Sequence, residues 1–359
     1  MFEINGKYTT AKVMIDDVEE SCVGQITQFV NHPAFSRPVS IMPDTHAGKG
    51  SVIGFTMELS DKVIPNVVGV DIGCGMLSIN FGKNFPITLS ELDQKIRQKV
   101  PFGQDVHETS VINFEKEFPW KKLNLLKDSF VNAYRNKYER HCSAIPDYNM
   151  NWFTSKCDTI GANVRRMISS IGTLGGGNHF IETGISTNGD YWITIHSGSR
   201  NFGKRICEYW QNIAEKHFAK EFTGKKQQEI DDAKTQYQGD ERYKKIQEIK
   251  AKYKIGIDAN GLEWLEGNEY FGYLFDMLFS QMYASINRMY MSSIIQSIVK
   301  IDPLESIETI HNFIDFHDFV IRKGAIRSYK DEKMIIPFNM QAGILICEGQ
   351  SNTEWNCTA

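Results

Sequence analysis

Short apolar runs broken by glycine and proline fill the first hundred positions of the chain. AKVMI (11–15), SVIGFTMEL (51–59) and MLSINF (76–81) read as strands. VIPNVVGV (63–70) is apolar almost throughout and reads as a buried strand, which makes DIGCGM (71–76) the turn that leaves it. LSELDQKIRQKV (89–100) has the spacing of a helix, and residues 101–170 are mixed but largely helical, with aromatics and the basic stretch RNKYERH. Further on, WITIH (192–196) is a β-like run. From about Lys204 the positions Ile206, Cys207, Trp210, Ile213, Ala214 and Phe218 share one helical face. Residues 215–254 interleave lysines with acids, the pattern of a solvated helical pair. The stripe in NEYFGYLFDMLFSQMYASINRMYMSSIIQSIV (268–299) predicts a long core helix. Its embedded Asp276, Gln281, Asn287 and Arg288 either form a buried polar network or face solvent. GILICEG (343–349) reads as a last strand before a loop.

Strands and helices alternate without regular βαβ units, which predicts an α+β fold with mixed sheets. There is no tandem repeat or low-complexity linker, and the motifs below come from both ends of the sequence. One integrated domain over residues 1–359 is expected, with 215–254 as a charged helical excursion within it. Composition narrows the class. The 40 basic and 44 acidic residues give a formal charge of −4, so a nucleic acid would have to be met by a local patch. Seven cysteines without paired spacing point to reduced thiols and a cytoplasmic protein. MFEINGKYTT lacks the pattern of a secretory leader, and no stretch approaches the roughly 20 apolar residues of a membrane helix.

The chemistry concentrates in five residues. Asp71 and Cys74 lie three apart in VVGVDIGCGM, where Gly73 and Gly75 allow a turn tight enough for both to face one point. His179, His196 and His311 sit in GGGNHF, IHSGSRNFG and IHNF. Each could singly be a buried structural residue. Together a carboxylate, a thiolate and three imidazoles make a transition-metal ligand set, sufficient for two ions if Cys74 bridges them. SGSRNFG, between a strand and a helix start, offers backbone N–H groups to an anion, and Arg200 could add a bidentate phosphate contact. PDTHAGKG (43–50) suggests a phosphate-facing turn but lacks P-loop spacing, and Asp44 and His46 in it read as active-site or structural residues. Arg322 and Lys323 suit phosphate binding or a surface strand.

These segments resemble the RtcB-type RNA-splicing ligases. The resemblance rests on MPDTHAGKG (42–50), GVDIGCGM (69–76), GTLGGGNHFIE (172–182), HSGSRNFG (196–203), FDMLFSQMYASINR (275–288), HNF (311–313), RKGA (322–325) and IPFNM (336–340). They occur in family order across nearly the whole chain. The resemblance implies an enzyme that uses GTP and two manganese ions to join RNA 3′-phosphate or 2′,3′-cyclic phosphate ends to 5′-hydroxyl ends, in tRNA splicing or RNA repair. A histidine is guanylylated, GMP passes to the RNA 3′-phosphate, and the 5′-hydroxyl displaces it. The same resemblance gives Asp71, Cys74 and His179 to one ion and Cys74, His196 and His311 to the other. It assigns GTP contacts to Asn178, His179, Phe180, Ile181, Glu182, His311, Asn312 and the segment Pro337, Phe338, Asn339, Met340. Asp44, His46, Arg200 and Lys323 become the candidate catalytic residues.

Two departures qualify this. PFNM replaces the common Pro-Gly-Ser-Met, and Ile344 stands about where the family often has serine. The guanylylated histidine belongs to a His-Gly-Ala-Gly-Arg motif, a context that none of the nine histidines has. A truncated ligase body that binds metal without ligating is therefore expected, with a natural variant or another nucleophilic histidine as alternatives. Softness alone would favour zinc for a Cys/His set, so manganese comes from the resemblance. A metal-dependent phosphohydrolase needs no guanylylated histidine, and a non-catalytic RNA-binding protein needs no metal. These are the competing classes.

Overall fold

The computed structural model describes residues 1–255, 261–339 and 341–359. Its strands are β1 (Phe2–Asn5), β2 (Thr10–Val13), β3 (Val39–Ile41), β4 (Phe55–Glu58), β5 (Gly75–Gly82) and β6 (Phe180–Ile185). They continue with β7 (Tyr191–Ser197), β8 (Glu305–Ile310), β9 (Asn312–Ile314), β10 (Val320–Lys323), β11 (Lys333–Asn339) and β12 (Gly343–Glu348). One mixed sheet has the order β1-β2-β3-β4-β10-β9, with β2 and β3 parallel and its other pairs antiparallel. A second, antiparallel sheet runs β6-β7-β5-β8, and β11-β12 form a hairpin. The architecture is α+β with a mixed sheet, as the alternation of patterns predicts.

Helices α1 (Glu20–Val30), α2 (Pro65–Val68), α3 (Leu89–Lys99), α4 (Phe114–Glu117), α5 (Trp120–Tyr138), α6 (Met150–Thr159) and α7 (Val164–Ser169) lead to three longer ones. These are α8 (Arg200–Gln236), α9 (Gly239–Ile255) and α10 (Gly267–Val299). α10 is the central core helix: Tyr273, Leu274, Met277, Phe279, Tyr283 and Met291 are all buried. Its C-terminal half, with Met291, Ile295 and Val299, packs with α3 on one face of the second sheet, against Ile79, Phe81, Ile193 and Ile195. The hairpin covers the opposite face through Ile335 and Ile344, which meet Met76, Phe180, Trp192 and Ile307.

Three expectations change. VIPNVVGV is not a strand: residues 65–68 form α2, because Pro65 occupies the first helical position and Gly69 (φ 98°) ends the turn. The helix predicted from about Lys204 does not end before the charged excursion: α8 runs unbroken from Arg200 to Gln236 and α9 returns along it. Ala233 and Ile249 seal the two helices together. Nor do the last residues form a free loop: Ile326 N–H donates to the Ala359 carbonyl and Ala359 N–H to that of Ile326. Among the described residues no helix is long and apolar enough to cross a membrane.

Candidate metal centre

The register of the second sheet assembles the five donors. β5 is central, with Met76 opposite His196 of β7 and Gly75 opposite Ile310 at the end of β8. His311 N–H then donates to the Cys74 carbonyl at 2.9 Å, bringing the residue after β8 beside the one before β5. Phe180 pairs with His196, so His179 lies at the same end. In the turn before β5, Cys74 N–H donates to the Asp71 carbonyl and Gly73 N–H to that of Asn312. Gly73 has φ 72°, which favours glycine there, and a Cβ would sit 2.9 Å from that of Ala284.

Cys74 Sγ lies 3.2 Å from His196 Nε2 and 3.5 Å from His179 Nε2. His179 Nε2 lies 2.8 Å from Asp71 Oδ2, and the Nε2 atoms of His196 and His311 are 3.2 Å apart. The donors form two triads, Asp71–Cys74–His179 and Cys74–His196–His311, each with its ligand atoms within 4.8 Å of one another. His179 Nδ1 is engaged by the Leu174 carbonyl and His196 Nδ1 by that of Asn178. Nδ1 is therefore the donor to a carbonyl in both rings and Nε2 the atom turned to the cluster, the arrangement expected of metal-ligating histidines. The donor set therefore fits a pair of divalent cations sharing a thiolate.

Burial dominates the electrostatics. It pulls His196 down to about 4 and His311 to about 3, with the neighbouring imidazoles adding to it, so both rings stay neutral. Burial and the Asp71 charge push the Cys74 thiol well up. For Asp71 burial opposes ionisation, but the His179 contact outweighs it and holds the carboxyl below its ordinary value. A bound cation would reverse the thiol's preference.

A cleft of about 710 Å³ opens beside the first triad, lined by Asp71, His179, Asn178, Arg166, Arg200 and Lys204 among others. Arg200 starts α8 with a left-handed backbone (φ 56°), and its guanidinium reaches Thr173 Oγ1 and the Gly103 carbonyl. The sequence pattern missed Arg166, Asn201 and Lys204. Starting the helix at Arg200 rather than near Lys204 would have placed residues 200, 201 and 204 at one helix end, whereas nothing marked Arg166.

The other expected residues divide. Phe180 packs edge-on to His196 at 5.2 Å, and Glu182 is half-buried on the same sheet face. Ile181 points the opposite way, into the core beneath the sheet. Asn312 Oδ1 accepts from Gly324 N–H. Pro337, Phe338 and Asn339 are exposed at the hairpin tip, where Asn339 Oδ1 accepts from Gln341 and Ala342. Met340 lies outside the described residues. Asp44 and His46 are exposed on the loop after β3, and no hydrogen bond among the described residues ties them to the five donors.

Arg322 and Lys323 are on neither a surface strand nor an open phosphate site. Arg322 is fully buried and held by Asp315, Asp318, Thr358 and the Asn356 carbonyl. Lys323 Nζ donates to the carbonyls of Lys49, Ser51 and Asn66, and burial pulls its amine down to about 8. The embedded residues of α10 form the buried network rather than facing solvent. Asn287 holds Gly172, Thr173, Ser197 and Gly198, Asp276 meets Trp210 and Lys156, and Gln281 donates to the Ile314 carbonyl.

The family profile described as tRNA-splicing ligase RtcB matches residues 25–359. RNA-splicing ligase RtcB of Escherichia coli (strain K12) is 28% identical over 362 residues, covering 95% of this chain and 77% of that protein. The tRNA-splicing ligase RtcB of Methanococcus maripaludis is 26% identical over 242 residues, covering 60% of this chain and 49% of its own. RNA-splicing ligase RtcB homolog 1 of Entamoeba histolytica is 29% identical over 221 residues, or 52% of this chain and 40% of its own. With a profile matched over nearly its whole length, the chain belongs to the tRNA-splicing ligase RtcB family.

Proposed function

We propose that this chain carries the metal centre of a cytoplasmic, GTP-dependent RNA ligase. Such a ligase joins 3′-phosphate or 2′,3′-cyclic phosphate ends to 5′-hydroxyl ends in tRNA splicing or RNA repair. The observation that carries the reading is the pair of donor triads sharing Cys74. Asp71, Cys74 and His179 would hold one manganese ion, and Cys74, His196 and His311 the other. Such ions would neutralise charge on the attacking and leaving oxygens of phosphoryl transfer.

The chain's own residues supply the rest. The Leu174 and Asn178 carbonyls keep His179 and His196 in the tautomer that presents Nε2. Arg200, with Arg166 and Lys204, gives the cleft a cationic wall suited to RNA phosphates. Asn178, Phe180, Glu182, Asn312 and the hairpin tip at Pro337, Phe338 and Asn339 are the nucleotide side, with Ile181 contributing backbone only. Asp44 and His46 lie on a loop open to an RNA end.

The test offers the chain a labelled RNA cyclic phosphate, a 5′-hydroxyl RNA and manganese, with and without GTP. GTP is expected to bind only when manganese is present, and the cyclic phosphate to stay closed without GTP. Ring opening in its absence would replace the ligase by a metal-dependent phosphohydrolase. Because no histidine here has the His-Gly-Ala-Gly-Arg context, α-labelled GTP should leave no label on residues 1–359 in a denaturing gel. A retained label would place the nucleophile among the groups described above.

A further inference from the structure

Arg288 of α10 is fully buried, yet it touches the backbone on both sides of the metal centre. Its Nη1 donates to the Gly73 carbonyl at 2.8 Å and to the Ser197 carbonyl at 2.6 Å. Gly73 immediately precedes Cys74, and Ser197 immediately follows His196. One nitrogen thus bridges the segments that carry the 3.2 Å thiol–imidazole pair. Nε donates to Glu308 of β8 at 2.8 Å, three residues before His311. The guanidinium therefore reaches all three segments of the Cys74–His196–His311 triad.

This arrangement is costly. Among the described residues this buried cation is ion-paired with a single carboxylate, itself one-third exposed, and its Nη2 finds no acceptor. We infer that Arg288 is a positioning residue of the metal centre. Its Nη1, aimed by the planar guanidinium, sets the spacing of Cys74 from His196, so that the Cys74–His196–His311 triad depends on it and the Asp71–Cys74–His179 triad much less. The inference rests on the two-ion reading above.

Charge and positioning predict opposite signs. A positive guanidinium beside the cluster repels cations, so if its charge were what mattered, removing it would tighten metal binding. If it acts by spacing, removing it loosens binding at one triad.

The experiment titrates chelator-stripped protein with Co2+, following the thiolate-to-metal absorption and the stoichiometry of wild type, Arg288→Met, Arg288→Lys and Glu308→Gln. Wild type should take two equivalents. In Arg288→Met the first should bind within about threefold of wild type and the second on the order of 10–100-fold more weakly. Arg288→Lys keeps the charge but lacks the planar group that aims Nη1, and should behave like Met; it also carries the test if Met does not fold. Glu308→Gln leaves both Nη1 bonds in place and should stay close to wild type. Both equivalents unchanged or tighter in the Arg288 variants, whatever happens to their melting temperature, overturns the assignment. A wild type that takes no second equivalent overturns the two-ion reading itself, and this inference with it.

Discussion

His196 and His311 turn their Nε2 atoms toward each other at 3.2 Å, while both rings are held neutral by burial. His196 has its Nδ1 committed to the Asn178 carbonyl, so the nitrogen facing His311 is the one with the lone pair. His311 Nε2 either donates to that lone pair or shares a cation with it. The two triads should accordingly separate by substitution. His311→Ala should leave one equivalent of manganese bound, held by Asp71, Cys74 and His179. Asp71→Asn should likewise leave one, held by the other triad, and Cys74→Ala should bring occupancy below one. Metal content after gel filtration measures this, and full occupancy in Cys74→Ala would sink the shared-thiolate arrangement.

Gly198 shapes the same centre from the other side. A Cβ there would fall on the Asp71 carboxylate, although the backbone itself is compatible with alanine. Gly198→Ala should displace Asp71 and weaken its triad on the order of tenfold. Overpacking should also lower stability by about 1–3 kcal/mol. Manganese titration beside thermal melting separates the two effects. Unchanged affinity with lowered stability would show that the turn relaxes without moving the ligand.

The donors were legible because each interrupts an apolar or glycine-rich run where packing alone would favour another side chain. Their convergence was not legible, since it depends on the register of β5 with β7 and β8, which pairs residues more than a hundred positions apart. VIPNVVGV misleads because a short apolar run fits a strand or a buried helical turn equally, and Pro65 decides only once its position in the turn is known. Charge in Arg322 and Lys323 was visible, but not the Asp318 carboxylate and the loop carbonyls that consume it. A sequence displays a cation without its counter-groups, so buried structural cations and phosphate-binding ones look alike.

Lys323 gives that distinction a measurable form. Its ammonium ties the loop carbonyls of Lys49 and Ser51 to that of Asn66 in α2. Lys323→Met leaves these acceptors without their donor, at about 1–3 kcal/mol. It also recovers the cost of burying the charge, about 3 kcal/mol for an amine pulled from 10.5 to about 8. The two nearly offset, so the global urea midpoint should move little while the loop at 43–51 becomes open to proteolysis. Unaltered protection of that loop would mean that its order does not depend on the lysine.

His32 makes a pH prediction away from the metal centre. Its ring packs edge-on to Phe35 and Trp264, and Nδ1 accepts the Ala34 N–H, which requires that nitrogen to be unprotonated. Burial, with Lys62 nearby, pulls its pKa from 6.5 to about 4. Between those values the unfolded chain takes up a proton that the folded chain refuses, so stability falls as pH drops from about 6.5 toward 4. His32→Gln keeps an acceptor but cannot titrate. Wild type should therefore lose more thermal stability than His32→Gln between pH 7 and pH 5, by an excess on the order of 1–2 °C given the ring's partial exposure. Chelator-treated samples keep metal release from contributing unequally. Parallel pH dependence in the two proteins would mean that the ring takes up its proton in the folded state as readily as in the unfolded one.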